Sequence, residues 1–314
     1  MTLDLIVTAI DDSVPGIRGL TLEGAGGAPL PGYVPGSHVV IRVGGRANAY
    51  SLTGDGVEPA AYTVSVLRVD PATGGRGGSA AIHDSMRVGD ALVADLPRSA
   101  FAPVARANRH LLVAAGIGIT PVISHLRAAQ RWRRETQVFY AFREGHGAHL
   151  DDLAQLAPRA ELVATGRAAF MARLLEVLAA QSLGTHLYVC GPGPMIDATV
   201  ELAAGLGWPA SRVHVERFGL DALGPGDPFT VTLTGSGKSV DVPSGTSLLE
   251  ALEVAGVGVP SLCRQGVCGE CRIPLVGGRP LHRDLFLSDE ERAAGDCLMA
   301  CVSRADGPTL EVAL

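Results

Sequence analysis

Four cysteines near the end of the chain have a spacing suited to holding an iron–sulfur cluster. Cys263, Cys268 and Cys271 are separated by four and two residues, and Cys301 follows after 29 more residues. The pattern C-x4-C-x2-C…C is the plant-type arrangement, in which four thiolates bind a [2Fe–2S] cluster. The tight loop turns three sulfurs toward one small cluster, and the remote fourth thiolate ties that loop to the rest of its module. The sequence therefore predicts a [2Fe–2S] site with these four ligands.

Other roles for these cysteines are weaker alternatives. A zinc site usually combines a C-x2-C pair with a second such pair, and this sequence has no second C-x2-C pair. Three clustered thiols seldom serve only as core packing. Gly266 and Gly269 fit a cluster loop because they let backbone N–H groups approach the sulfides. Cys297 is the competing fourth ligand, four residues before Cys301. We expect Cys301 to bind, since it has the ferredoxin spacing, and Cys297 to be a packed thiol.

Two glycine-containing segments indicate a nucleotide-binding module. Residues 116–121 follow an apolar run and open a predicted helix, so that Gly116 and Gly118 let the backbone approach a pyrophosphate at the helix N-terminus. We expect Thr120 to be the N-cap and Pro121 the first helical residue. Pro121 replaces the third glycine of G-x-G-x-x-G, so this is not that dinucleotide fingerprint. Residues 190–195 follow a second apolar run. Each segment alone is compatible with an ordinary turn, and their combination favours binding.

The patterning around these motifs predicts three successive modules. Residues 1–104 contain short alternating apolar runs separated by glycine and proline turns, which indicates an antiparallel barrel or sandwich. Residues 107–220 alternate strand and helix patterns, which indicates a parallel sheet with helices on both faces. Residues 223–228 have the composition of a linker. The stretch 227–314 has the pattern of a small α+β module that carries the cysteines.

Composition limits the classes of protein that this chain can be. The 314 residues are 47% hydrophobic and 18% charged, enough for packed cores, and the formal net charge is −6. The mild acidity argues against non-specific nucleic-acid binding, which needs clustered basic residues. The most apolar window, residues 111–123, is too short to span a bilayer, and the first residues lack the features of a targeting segment. We expect a soluble cytoplasmic protein, in which six cysteines do not form a disulfide framework.

The chain resembles the phthalate dioxygenase reductase family, the reductases that serve Rieske-type oxygenases. The resemblance rests on residues 263–271, 287–293 and 301–305, and it continues through the whole chain. The Asn-Ala-Tyr-Ser-Leu segment is similar to reductases of carnitine-monooxygenase-type systems. The resemblance implies three domains: an antiparallel β-barrel that binds FMN (1–104), an α/β parallel-sheet domain that binds NAD (105–225) and an α+β β-grasp ferredoxin domain (226–314).

The resemblance implies an FMN site in the first domain. The family's R-x-Y-S motif places Tyr and Ser along the isoalloxazine and Arg at the phosphate. Tyr50 and Ser51 match, whereas Asn48 stands at the Arg position. Arg46 or Arg76 is then the replacement phosphate contact, and the sequence leaves this choice open. The implied FMN contacts are Arg46, Asn48, Tyr50, Ser51, Val66, Gly74, Arg76, Gly77, Gly78 and Ser79.

The resemblance also implies which residues surround the nicotinamide. Thr120 and Cys190 would border it, and Phe218 would lie against the flavin ring; with Ser51 these are the implied catalytic residues. Arg143 would lie near the adenosine ribose, where it leaves NADH and NADPH both open, although the family favours NADH. The implied nucleotide contacts are Gly116, Gly118, Thr120, Pro121, Arg143, Cys190, Gly191, Pro192, Met195 and Phe218.

The implied function is an electron relay. NADH gives up two electrons as a hydride, whereas a [2Fe–2S] cluster accepts one, so a flavin must lie between them. From residue 226 onward, seven basic and twelve acidic side chains give a net charge of −5, which favours docking on a basic acceptor. We expect a monomer that reduces a Rieske-type oxygenase acting in aromatic-ring hydroxylation or in O- or N-demethylation. The alternatives are a reductase for a cytochrome P450 or another ferredoxin-accepting enzyme, and a redox-responsive iron–sulfur protein without turnover.

Overall fold

Three β-sheets follow one another along the chain in the computed structural model. The chain is divided into two compact units. Met1–Arg217 contains the first two sheets, and Phe218–Leu314 contains the third. The predicted division into three domains stays a prediction, because the first two sheets share one unit. The structure describes residues 2–43, 46–70, 77–99, 101–164, 166–218, 225–261, 264, 266, 269–284 and 286–314.

The first sheet is an antiparallel barrel built from alternating apolar residues. Its strands are β1 (Thr2–Val14), β2 (Ile17–Gly24), β3 (Ser37–Val43), β4 (Arg46–Ser51), β5 (Tyr62–Leu67), β6 (Ala91–Asp95) and β7 (Arg98–Ser99). Their order is β4-β3-β6-β1-β2-β5, with β7 paired to β3. Leu5 and Val7 of β1 and Leu22 of β2 are fully buried inside it. A bridge between Leu52 and Val64 brings the two edges of the sheet together. The predicted barrel is confirmed.

The second sheet is parallel throughout. Its strands are β8 (Arg109–Ala115), β9 (Glu135–Ala141), β10 (Glu161–Val163), β11 (Thr185–Cys190) and β12 (Val213–Glu216). Their order is β10-β9-β8-β11-β12, so the chain reverses direction across the sheet between β8 and β11. In such sheets, ligands bind at the carboxyl ends of the strands beside this reversal. The predicted α/β domain is confirmed, and its switch point lies where both glycine-containing segments begin.

The third sheet is mixed and belongs to the second unit. Its strands are β13 (Phe229–Leu233), β14 (Ser239–Val242), β15 (Arg272–Leu281), β16 (Cys297–Met299) and β17 (Arg304–Val312). Their order is β14-β13-β17-β15-β16, and only the β13–β17 pair is parallel. The predicted α+β module is confirmed.

The described part of the chain contains seven α-helices. They are α1 (Gly78–Ser85), α2 (Ile119–Trp132), α3 (Leu150–Leu156), α4 (Arg167–Ala179), α5 (Gly193–Gly205), α6 (Leu248–Val254) and α7 (Asp289–Ala294). Ser247 and Glu250 form a reciprocal capping box at the start of α6, which satisfies two backbone N–H groups of its first turn. Among these helices, none is both long and apolar enough to cross a bilayer.

Candidate functional site

The predicted FMN contacts Asn48, Tyr50 and Gly78 lie together where β4 meets the start of α1. Asn48 Nδ2 donates a hydrogen bond to Tyr50 Oη at 3.4 Å. A Cβ on Gly78 would lie 2.0 Å from Asn48 Nδ2, so the amide lies directly against the backbone of the first helical turn. Asn48 therefore contacts the helix end at which the FMN phosphate is predicted, although an amide lacks the charge of the arginine that it replaces.

The start of α1 fits a phosphate. Gly77 precedes the helix with a φ of 85°, a left-handed conformation that glycine adopts without strain, and no described side chain caps the first turn. The first N–H groups of any helix have no intrahelical acceptor. Because no described side chain caps them here, they can bind an anion. The Ser79 hydroxyl is already engaged, because it accepts from the Val69 N–H at 3.1 Å. Gly74, Arg76 and the side chain of Arg46 lie outside the described residues.

Two further predicted flavin contacts lie on the strands of the barrel. Ser51 ends β4 with 5% of its surface exposed, and its Oγ has no hydrogen-bond partner among the described residues. The Val66 side chain points into the barrel core, and its carbonyl accepts from His83 Nε2 at 2.8 Å. A flavin contact at Val66 would therefore involve its backbone. An unsatisfied buried hydroxyl fits a site that a polar ligand completes.

Both nucleotide-binding segments meet at the carboxyl edge of the second sheet. β8 and β11 are neighbours, with Ala114 opposite Cys190. A Cβ on Gly118 would lie 2.3 Å from the carbonyl oxygen of Cys190 and 2.8 Å from the Gly191 nitrogen. Only glycine permits this close backbone approach. The two segments begin 74 residues apart, at Gly116 and Cys190. They thus form one surface at the switch point, where a dinucleotide fits.

The predicted role of Thr120 as an N-cap is wrong. A 3₁₀ turn, Gly116–Gly118, continues directly into α2, so the helix begins at Ile119 and its N-cap is Gly118. Pro121 is accordingly the third helical residue. The Thr120 hydroxyl donates to the Ile117 carbonyl at 3.0 Å. The sequence pattern missed this because a 3₁₀ turn moves the first helical residue without changing the residue types.

The remaining predicted nucleotide contacts lie after the strands, as expected. Pro192 is the N-cap of α5, and Met195 lies in the first turn, with its Cε 2.5 Å from the position of a Cβ on Gly191. Arg143 is exposed in the loop after β9. Phe218 is half-buried at the start of the second unit. Its contact with the flavin ring stays a prediction.

Cys190 faces a buried carboxyl that the sequence analysis did not single out. Cys190 and Glu216 are opposite each other on β11 and β12, and both are buried. Burial raises the pKa of Glu216 to about 8. Burial, with Glu216 as a second cause, raises the pKa of the Cys190 thiol well above its ordinary value. Both groups are therefore mainly protonated at neutral pH, and Cys190 borders the predicted nicotinamide site as a neutral thiol.

The described cysteines support Cys301 over Cys297 as the fourth cluster ligand. The Ala300 N–H donates to the Cys271 carbonyl at 3.0 Å, so Cys301 is the next residue after a direct partner of Cys271. Cys297 is instead opposite Pro274, about 10 Å farther along the strand at roughly 3.3 Å per residue. Cys263 and Cys268 lie outside the described residues, so the four-ligand set stays a prediction.

Comparisons with known proteins agree along the whole chain. Residues 91–213 match the family "Dimethylamine monooxygenase subunit DmmA-like, N-terminal domain", and residues 231–306 match the "2Fe-2S iron-sulfur cluster binding domain". The heme-dependent oxidative N-demethylase beta subunit of Ectopseudomonas mendocina (strain ymp) is 42% identical, covering 97% of this chain and 96% of the relative. The carnitine monooxygenase reductase subunit of Escherichia coli (strain K12) is 36% identical, covering 97% and 96%.

A solved structure decides the family. It is described as "Phthalate dioxygenase reductase: a modular structure for electron transfer from pyridine nucleotides to [2Fe–2S]", and it matches with a TM-score of 0.80 and 33% identity, over 100% of this chain and 98% of that one. This chain belongs to the phthalate dioxygenase reductase family. As a member of that family, it is an NAD(P)H-dependent electron-transfer reductase of an oxygenase system, with FMN, a nicotinamide dinucleotide and a [2Fe–2S] cluster as its cofactors.

In the present chain, the conformation of the cluster loop requires glycine at two positions. Gly266 and Gly269 have φ angles of 73° and 80°. A Cβ on Gly266 would lie 2.6 Å from Val302, and one on Gly269 would lie 2.4 Å from the Phe286 ring. The loop is therefore packed against its surroundings at both glycines, as a fixed cluster site requires.

Asp284 is a further buried carboxyl that the family resemblance did not indicate. It accepts hydrogen bonds from the N–H groups of Phe286 and Leu287 at 3.2 and 2.8 Å and from the Ser303 hydroxyl at 3.3 Å. Its Cα lies 3.0 Å from the position of a Cβ on Gly266. Asp284 therefore supports the cluster loop and the segment after Cys301 together.

Proposed function

We propose that this chain takes electrons from NADH and passes them one at a time to a separate Rieske-type oxygenase. One observation carries the proposal: a single chain of this family presents a nucleotide-binding edge, a flavin motif and a four-cysteine motif. The relatives' names, which include carnitine monooxygenase and phthalate dioxygenase reductases, support an oxygenase as the acceptor.

The residues of the chain would bind and position the cofactors. Gly118 and Gly191 leave room for the nucleotide at the carboxyl edge of the second sheet. The neutral Cys190 thiol gives the nicotinamide an uncharged neighbour. Asn48 and the start of α1 bind the FMN phosphate. When bound, the flavin accepts a two-electron hydride and releases single electrons, which is chemistry that side chains do not supply.

Reconstituted turnover tests the proposal. The purified holoprotein is mixed with NADH and the oxygenase component of carnitine monooxygenase, and the demethylated or cleaved product is measured. The proposal predicts product formation that requires the reductase, NADH and the [2Fe–2S] cluster. A Cys271→Ser variant, in which the flavin is retained, serves as the control without a complete cluster. Product formation at the same rate with this variant would contradict the proposed electron path.

A haem-dependent N-demethylating oxygenase is the second candidate acceptor. It is favoured by the name of the relative that is 42% identical and by the DmmA-like match of residues 91–213. The same assay, run with the haem-containing subunit of the Ectopseudomonas mendocina system and with a ferredoxin-dependent cytochrome P450, compares all three acceptors. A larger kcat/KM with the haem-containing subunit than with the Rieske oxygenase would replace the first candidate by the second.

We also propose that the chain is a cytoplasmic monomer that prefers NADH. A four-thiolate cluster fits a reducing compartment, in which cysteines do not form disulfides. Arg143 is exposed and accessible to the 2′-phosphate of NADPH. The nucleotide preference therefore tests directly whether this chain shares the family's preference for NADH. Light scattering of the purified protein measures its oligomeric state, and kcat/KM for NADH against NADPH measures its nucleotide preference.

A further inference from the structure

The α2 helix carries a polar stripe that contacts the chain just after the flavin motif. Ser124, Arg127 and Arg131 lie on one face of the helix, three and four residues apart. The Ser124 hydroxyl donates to the Gly54 carbonyl at 2.7 Å, and Arg127 Nη1 donates to the Thr53 carbonyl at 2.7 Å. Arg131 pairs with the Asp55 carboxylate at 2.6 Å. Three side chains of one helix thus bind three consecutive residues of the segment that follows β4.

A second set of hydrogen bonds connects Arg127 to β5 of the barrel through α3. This set and the contacts of the polar stripe are the two arms of one network. Arg127 Nη2 donates to Asp152 Oδ1 at 2.7 Å, and Asp152 Oδ2 lies 2.7 Å from His149 Nδ1. His149 Nε2 lies 2.9 Å from the Ser65 hydroxyl on β5. When Nδ1 carries the proton toward Asp152, Nε2 accepts from Ser65. The Thr53 N–H donates to the Thr63 carbonyl at 3.0 Å and so closes the ring of contacts.

The two arms connect the two cofactor motifs. Thr53 follows Tyr50 and Ser51 by only a few residues, and α2 begins directly after the glycines of the nucleotide-binding edge. The arms meet beside a cleft of about 620 Å³ between the barrel and α3, lined by Ser65, Arg127, His149 and Asp152 among other residues. Because the cleft leaves this part of the boundary unfilled, directional hydrogen bonds fix the positions of the two sheets here.

The conformation of His149 supports a positioning role. Its φ is 58°, in the left-handed region that non-glycine residues seldom adopt. Such a conformation persists only where the surroundings hold it. His149 is held on both sides of its ring, by Asp152 and by Ser65.

We propose that Ser65, His149, Asp152 and Arg127 form a clamp that sets the distance between the nicotinamide and the flavin ring. The four are positioning residues, since they act through the sheets that carry the cofactors. This inference rests on the proposed function. A displacement of about 1 Å at a reacting pair costs up to roughly 100-fold in rate, so loosening the clamp slows hydride transfer without removing a cofactor contact.

The test uses the holoprotein in rapid mixing with NADH, followed at the flavin absorbance. His149→Phe keeps an aromatic ring and removes both hydrogen bonds, and Ser65→Ala removes one of them. The matched control is His146→Phe, the same change at an exposed position in the same loop. We expect the limiting rate constant of flavin reduction to fall about 10- to 100-fold in His149→Phe and less in Ser65→Ala. The NADH dissociation constant from the same series should change less than about twofold, and the control should match the wild type.

A second readout does not depend on turnover. In the flavin-free protein, amide hydrogen exchange over residues 147–156 should be faster in His149→Phe and in Ser65→Ala than in the control. If His149→Phe does not fold, Ser65→Ala alone carries both measurements.

Three outcomes would overturn the clamp. Equal reduction rates in the wild type and both variants, with only a lower unfolding temperature, would make the contacts merely structural. Specific labelling of Ser65 by a fluorophosphonate would identify Ser65, His149 and Asp152 as a hydrolytic triad instead. A wild type that NADH does not reduce would overturn the proposed function together with the clamp, whereas the first two outcomes leave the proposed function intact.

Discussion

Glu216 and Cys190 are ionisable residues that the fold keeps uncharged. They lie side by side at the ends of two neighbouring parallel strands, and Glu216 Oε2 has no hydrogen-bond partner among the described residues. Burial raises the pKa of Glu216 to about 8, because desolvation disfavours the charged form of the carboxyl. The pair therefore keeps negative charge away from the nucleotide-binding edge at neutral pH.

This pair makes the stability of the fold depend on pH. The folded-state pKa of Glu216, about 8, lies above its ordinary value of 4.5, so the folded chain holds the proton more tightly than the unfolded chain. Glu216 therefore costs increasing stability as the pH rises from about 4.5 to about 8. We expect Glu216→Gln to gain stability relative to the wild type over that range. Unfolding temperatures of the flavin-free proteins between pH 5 and pH 9 measure this, and parallel curves would contradict it.

A pair of single substitutions tests the fourth cluster ligand. Cys301→Ser should abolish stable cluster incorporation, because three thiolates remain for a site that needs four. Cys297→Ser is the matched control, four residues away and also buried, and should retain a full complement of iron. Iron and sulfide content with the visible absorption spectrum measures both. Retention of the cluster in Cys301→Ser and its loss in Cys297→Ser would exchange the two assignments.

At the scale of secondary-structure elements, α2 links the two cofactor motifs. Its N-terminus follows the 3₁₀ turn that lies against Cys190 and Gly191, and its polar stripe contacts the segment after β4. One rigid helix therefore fixes the position of the nucleotide-binding edge relative to the strand that carries the flavin motif.

Gly118→Ala tests the close approach of the two nucleotide-binding segments. The added Cβ would lie 2.3 Å from the Cys190 carbonyl oxygen, so the backbone must move. We expect a loss of about 1–3 kcal/mol in the free energy of unfolding and weaker binding of NADH. Gly205→Ala, at a helical glycine with open space around it, is the control and should not lose stability. Denaturant unfolding and NADH titration provide the values; equal stability of both variants would show that the segments do not touch.

At the scale of the whole molecule, negative charge is concentrated in the iron–sulfur unit. From residue 226 onward the net charge is −5, out of −6 for the chain. Opposite charges on two partners accelerate their encounter, and salt screens this attraction.

Electron transfer to the oxygenase should therefore depend on salt. We expect the second-order rate constant for oxygenase reduction to fall about tenfold between low and high ionic strength. The internal control is flavin reduction by NADH in the same protein. An unchanged rate with the oxygenase across the salt series would mean that charge does not guide docking.

Local patterns predicted the three sheets and the alternation of strands and helices in the second module, because alternation and helical periodicity are properties of neighbouring residues. The helix start at Ile119 was missed because residue types do not distinguish a 3₁₀ turn from a cap. The clamp was missed for another reason: Arg127 contacts Thr53, 74 residues earlier in the chain. Contacts over such separations leave no periodic signal. The family resemblance did not indicate these contacts either, because it identifies residues that touch the cofactors and not residues that position the cofactor-binding elements.

Rapid anaerobic mixing with NADH tests the central claim of an electron relay most directly. In the FMN-loaded protein, the flavin absorbance should change first and the [2Fe–2S] absorbance second. In FMN-free protein that retains its cluster, NADH should leave the cluster oxidised, whereas dithionite should reduce it. Reduction of the cluster by NADH without FMN, or a flavin that NADH reduces while the cluster never changes, would contradict the relay.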